Sequence, residues 1–196
     1  MEEKKKRRVS RRDYLNDFHQ NIKGEYIYTG QLYSFKGSAD EYRSYITVII
    51  TDAVLILGMT IASESFASVE MSRYPLTAFF WLLGLVTSSV LLYSAVRTAF
   101  GKNPMRAYIY LSSAKTLSGK ALAAMAAAAL SFLENTVFLL VRGIDGVLWL
   151  NLIRPVLSLS AGYVAFRMYS FLKTVVWEEI PNDGRDRVGP AEMPKL

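Results

Sequence analysis

The sequence predicts an all-α polytopic membrane protein with four transmembrane helices, both ends on the cytoplasmic side, and short amphipathic cytoplasmic segments. Three observations predict it. Apolar runs reach bilayer length, the charges gather in blocks between them, and Lys/Arg are in excess in alternate connections. The chain has 196 residues, 52% of them apolar and 20% charged. A hydrocarbon core of about 30 Å takes roughly 20 helical residues. Tyr45–Ser63, Pro75–Val96, Ala121–Val141 and Val147–Phe166 all qualify. A soluble helix keeps a polar face for water, and these runs do not. The resulting division is a cytoplasmic arm and amphipathic or interfacial segment (1–43), a membrane domain (44–173) and a mobile cytoplasmic tail (174–196).

Orientation follows the basic residues. Ten Lys/Arg, from Lys4 to Arg43, precede the first span, whereas Glu64–Tyr74 holds only Arg73 beside Glu64 and Glu70. The connection between the second and third spans carries Arg97, Lys102, Arg106, Lys115 and Lys120. The loop about Gly143–Gly146 has only Arg142 next to it, and the tail resumes with Arg167 and Lys173. This alternation puts both ends inside. Tyr42, Tyr45, Tyr74, Trp81, Tyr93, Trp149, Tyr169 and Trp177 fall mostly near predicted span ends, where amphipathic rings suit the headgroup layer.

Met1–Arg12 is basic and poor in apolar residues, so it predicts a disordered arm. Lys4, Lys5, Lys6, Arg7 and Arg8 suit anionic lipid, and equally suit a bare topology signal. Ser10 with Asp13 predicts a capped helix that carries Tyr14, Leu15 and Phe18 and stops at Gly24. Glu25–Phe35, with Tyr26, Tyr28 and Tyr33, predicts a short hairpin about Thr29-Gly30 or an interfacial segment. The one histidine, His19, reads as structural. Beyond the break at Phe100–Pro104, Met105–Ala114 predicts a short interfacial helix with Tyr108 and Tyr110.

Ionisable residues inside the spans are the candidate site, because placing them there is costly. Asp52 lies about seven residues into the first span with no obvious partner, level with Thr87, Ser88 and Ser89. Such an aspartate either carries protons or sits hydrogen-bonded and neutral. Glu134 lies as far before the third span's outer end as Arg154 lies after the fourth span's start. Both are therefore about 10 Å deep and predict an ion pair across an antiparallel hairpin. Asn135 and Asn151 stand beside them, and Pro155 cannot donate to the carbonyl of Asn151. Small-residue stripes predict helix packing: Ala123 and Ala127 on the third span, Ser158 and Ala161 on the fourth, Gly84 and Ser88 on the second. The Glu134/Arg154 pair reads either as a structural register lock or as the lining of a substrate or ion path.

The absence of cysteine excludes disulfides and thiolate chemistry. With one histidine, no glycine-rich phosphate loop and no Gly-x-Ser-x-Gly elbow, no catalytic motif, metal or cofactor is implied, and no nucleic-acid partner. The expectation is a non-enzymatic protein of the cell membrane. It would be an accessory or regulatory subunit that binds another membrane protein or its own copies. The alternative is a small oligomeric transporter or channel using Asp52 and the Glu134/Arg154 pair.

Overall fold

The computed structural model describes residues 17–20, 26–66, 74–142, 148–182 and 187–188. The order along the chain is β1 (Phe18–Gln20), β2 (Tyr26–Tyr28), β3 (Leu32–Phe35), α1 (Ala39–Ser65), α2 (Pro75–Phe100), β4 (Met105–Arg106), α3 (Ala107–Ser112), α4 (Ala114–Arg142), α5 (Leu148–Thr174), β5 (Trp177–Ile180) and β6 (Arg187–Val188). Four long helices dominate, but the chain is not all-α. Two small antiparallel sheets accompany them, ordered β1-β2-β6 and β4-β3-β5.

Local chemistry sets the helix starts. Ser38 Oγ accepts from the Glu41 backbone N–H at 3.2 Å, and Glu41 Oε2 accepts from the Ser38 N–H at 2.8 Å. This reciprocal cap starts α1 six residues before the apolar run. Pro75 opens α2 at a position where its missing N–H costs nothing.

The helices form a ring in which α1 touches α2, α2 touches α4, α4 touches α5, and α5 closes on α1. Every neighbouring pair is antiparallel. Trp81 Nε1 donates to the Thr60 carbonyl at 3.0 Å, while Tyr42 hydroxyl donates to the Gly101 carbonyl at the other end. Thr77 meets Glu134 at one end of α2, and Ser94 meets Lys120 nearer the other. Ser131 lies 3.3 Å from Ser158 between α4 and α5.

Around an apolar core that includes Ile49, Ile56, Leu91 and Leu117, the outer surface is unlike that of a water-soluble bundle. Val54, Leu55, Phe79, Leu82, Val86, Leu133, Val137, Val156 and Leu159 face outward, whereas Asp52, Ser88, Thr98, Asn135, Arg154 and Ser158 are buried. Three helical stretches among the described residues are long and apolar enough to cross a membrane: Ala39–Ser65, Pro75–Phe100 and Ala107–Val141. The fourth expected span falls on α5, which has the length but carries Arg154, Arg167 and Lys173.

At the end where α1 begins and α5 ends, three distant parts of the chain build a cap. β3 pairs with β4 on one edge and β5 on the other, so Leu32 stands opposite both Arg106 and Ile180. β2 pairs with β1 and β6. Phe35, Tyr42, Tyr45, Tyr110, Phe171 and Trp177 form a run of ring contacts joining cap to bundle. Tyr33 stacks on Tyr110 at 4.1 Å between centroids. Phe18 is therefore in a strand rather than a helix. No hairpin turns about Thr29-Gly30 either, because the segments flanking it belong to different sheets. The segment after Ile180 is in part tied down, since Asn182 donates to the carbonyls of Tyr28 and Gly30 and β6 pairs with β2. Met105–Arg106 is strand, and the short helix starts at Ala107. The expected helix about Ser10–Leu15 lies outside the described residues.

Tyr28 is fully buried in the cap. Its hydroxyl donates to the Gln31 carbonyl and accepts from the Ala107 N–H. Burial first, then the nearby Asp17 carboxylate, pushes its pKa from 10.0 up to about 12. The raised value means that the fold favours the neutral phenol. That contribution is complete below pH 10.0 and is lost as pH rises toward about 12. Cap order, followed by amide exchange of β2 and β3, is expected to fall across that window. In Tyr28→Phe, which cannot ionise there, the cap should start weaker and show a smaller fall, the remainder coming from the partly buried Tyr42 and Tyr110, whose phenols burial also keeps neutral.

Candidate functional site in the bundle interior

The polar residues of the interior fall into two levels, each centred on an ion pair between α1 and α5. At the capped half, Arg167 donates to Asp52 Oδ1. The Asp52 side chain is 1% exposed and the Arg167 side chain 56%, so the arginine reaches a buried carboxylate from the bundle surface. At the far half, Arg154 Nη2 donates to Glu64 Oε2 at 2.9 Å, with side chains 1% and 33% exposed. The two carboxylates are twelve residues apart on α1 and the two arginines thirteen apart on α5. Both levels are thus about 18–20 Å apart along their helices, as antiparallel neighbours require.

This arrangement corrects two expectations. Asp52 has a partner after all. Arg154 pairs with Glu64 rather than with Glu134, because α1 continues to Ser65 and carries Glu64 to the level of Arg154. Glu134 turns toward α2, where Oε1 accepts from the Thr77 hydroxyl, though it still acts coulombically on Arg154. Asn135 is buried and donates to Ser131 Oγ at 3.4 Å. Asn151 lies in the first turn of α5, but its side chain, like Lys4, Lys5, Lys6, Arg7 and Arg8, lies outside what the structure describes.

Several buried polar atoms near these pairs have no hydrogen-bond partner among the described residues. They are Glu134 Oε2, Asn135 Oδ1, Arg154 Nε and Nη1 in the far half, and Asp52 Oδ2 in the capped half. Orphaned groups of this kind are rare in a packed core and mark a place where water, a proton or a ligand belongs. A cavity of about 20 Å³ lies at the centre, bordered by Thr60, Ser63, Trp81, Gly84, Ser131 and Ser158. It has room for one water molecule and the polar groups to hold it. No group of three or more metal-ligating side chains occurs among the described residues.

Small residues occupy the α4–α5 and α1–α2 contacts. Ala127 is buried with Ser158, Ala161 and Ala165, and a Cβ on Gly162 would lie 3.6 Å from that of Ala128. Gly84 faces Thr60 of α1, and the buried Ser88 donates back to the Gly84 carbonyl. Ala123 is the exception. It is exposed, and Ala121, Ala124 and Ala128 take the contact instead. Glu64, Thr77 and Arg167 are the site residues that sequence reasoning missed. The first and last sat at drawn span ends, and a buried threonine gives no signal of its own.

Removing one member of the Glu64–Arg154 pair strands the other in a poorly solvated place. Glu64→Gln and Arg154→Gln should each cost roughly 3–5 kcal/mol, toward the lower figure because Glu64 keeps some solvent contact. The double variant should cost less than their sum. Denaturation midpoints of purified variants measure this. Coupling of Arg154 to Glu134 as strong as that to Glu64 would contradict the assigned pairing.

Set beside protein-family models, curated proteins and solved structures, the chain matches none.

Proposed function

We propose that the chain is a multi-pass protein of the cell membrane with four spans and both ends in the cytoplasm. It acts without catalysis, as an accessory subunit holding another membrane protein against its α4–α5 face. Strand pairing supports the four-span topology independently of charge. β3, β4 and β5 share a sheet and so share one side of a membrane. Two helices separate β3 from β4, and α4 with α5 separates β4 from β5, so a crossing by α4 requires a return crossing by α5. The two arginines that make α5 less apolar are each neutralised by a carboxylate of α1. The Lys/Arg excess then assigns the capped side to the cytoplasm.

The observation carrying the accessory reading is a groove of about 310 Å³ on the outside of the α4–α5 pair. Ala129 and Gly162 are among its lining residues, and Met125, Phe132, Leu159 and Phe166 flank them. Small residues between larger apolar ones accept a neighbouring transmembrane helix, where close backbone approach is the main attraction. The second reading, transport, is favoured by the orphaned polar atoms of Glu134, Asn135 and Arg154.

Topology is read with single cysteines, which the native chain lacks. With an impermeant thiol reagent on intact cells, Ser68→Cys should label, and Ser10→Cys, Lys102→Cys and Gly189→Cys should not. Labelling at Lys102 would overturn the orientation that the Lys/Arg excess assigns.

A photoreactive side chain at the exposed Tyr163 tests the function. It should give one discrete protein adduct in native membranes. Ala129→Trp, which adds bulk on the outward face, should abolish that adduct without unfolding the bundle. An adduct of twice the chain's mass identifies a second copy as the partner. Cross-linking to lipid alone, or solute flux by the purified chain in vesicles, would overturn the accessory reading.

A further inference from the structure

On the α2 flank of α4 a second opening has different chemistry. A cleft of about 370 Å³ lies between α2 and α4 at the end away from the cap. Leu76, Phe80, Leu133, Val137 and Phe138 line it, and Glu134 is the one carboxylate among its described walls. Leu76, Leu133 and Val137 are exposed, so the cleft opens sideways onto the apolar exterior of the bundle. The volume is within the range that takes a drug-sized molecule, about 300–1,000 Å³.

Glu134 is not satisfied by the protein around it. Thr77 supplies one hydrogen bond to Oε1, and Oε2 is buried with no partner among the described residues. The cation of this level, Arg154, is committed to Glu64. Among the described residues this level holds two carboxylates, Glu64 and Glu134, and one guanidinium, and Glu134 is the carboxylate that lines the cleft. A carboxylate oxygen buried without a hydrogen-bond donor takes up a proton or binds a cation. Here the approach to it is through apolar walls, which a hydrated metal ion or a polar cation would have to cross stripped of water.

We propose that this cleft binds an amphiphilic organic cation, with its charged head at Glu134 and its apolar body against Leu76, Phe80, Leu133 and Val137. The assignment rests on charge complementarity between the cation and a carboxylate whose Oε2 has no partner among the described residues, and on an entrance from the apolar side. It does not depend on the accessory reading, whose surface is the other flank of α4.

Tetraphenylphosphonium and tetraphenylborate share shape and apolar area but differ in sign of charge, so together they separate charge from greasiness. The full chain in nanodiscs of zwitterionic lipid should bind tetraphenylphosphonium saturably, at one per chain, and tetraphenylborate no better than empty discs. Glu134→Gln keeps an acceptor for Thr77 and should weaken phosphonium binding by about ten-fold or more, as loss of a charged contact in a dry site implies. Should that variant fail to fold, Val137→Trp serves, since it fills the cleft from an exposed position and leaves Glu134 in place; it should weaken binding similarly. Equal binding of the two probes, or phosphonium binding unchanged in Glu134→Gln or in Val137→Trp, would overturn the proposal and leave the cleft as a lipid-filled crevice.

Discussion

Two arginines on one apolar helix need two carboxylates on its neighbour, and the rest of the bundle is arranged around that requirement. A guanidinium cannot shed its charge, so Arg154, 1% exposed, is tolerable only with an anion in contact. Glu64 supplies one, and Asp52 supplies the same for Arg167. Because both acids are on α1, the last long helix is drawn against the first. That closes the ring α1-α2-α4-α5, and the spacing of the pairs sets how far α5 may slide along α1. Ion pairs of this kind add little net stability relative to apolar packing, since desolvation offsets much of the attraction. Their effect is on arrangement, because a slide by one helical turn would leave two buried charges bare.

The cap depends on the same closure. β5 follows α5 directly and can reach β3 only if α5 returns beside the start of α1. Once there, Trp177 packs edge-on against Phe35, Tyr42 and Tyr45, so aromatic area is shared between sheet and helix ends. Strands of two to four residues would not persist alone. β3 and β5 are held because each adjoins a long helix, α1 and α5, whose position is already set.

Much of the helical framework was legible in the sequence, for a physical reason. Hydropathy over about 20 residues reports solvent preference, which is a property of the segment itself. The capping box at Ser38–Glu41, Ser-x-x-Glu before an apolar run, is a local signal that the hydropathy reading passes over, and it starts α1 six residues before Tyr45. Partner choice was not legible. Matching Glu134 to Arg154 by depth was sound as to level, yet Glu64 reaches the same level from the other side of Arg154. The apolar run ends one residue earlier, at Ser63, so hydropathy leaves Glu64 in the connection. Arg167 was likewise counted as outside because the run stopped at Phe166. Hydropathy ends where charge begins, so it misplaces the charged residues that a bundle neutralises internally. The sheets were illegible for a different reason. β3 pairs with segments about 70 and 150 residues away, and no local pattern encodes that.

The exchange of partners at Arg154 has a consequence for Glu134. Had the two paired, both would be spent on joining α4 to α5, and that junction already has Ala127, Ala128, Ser131, Ser158 and Ala161 in close contact. With Glu64 taking the arginine, α4 and α5 are held by small-residue packing and the Ser131–Ser158 contact, and Glu134 faces α2 with one oxygen unmet among the described residues. A polar contact used for closure is thereby separated from one left open. The Glu64–Arg154 pair bridges the two helices that close the ring, where a charge with a fixed partner limits sliding. Glu134 borders a lateral cleft, where a charge without one can respond to what enters. The distinction between structural and functional intramembrane charge is here a matter of which acid the single arginine selects.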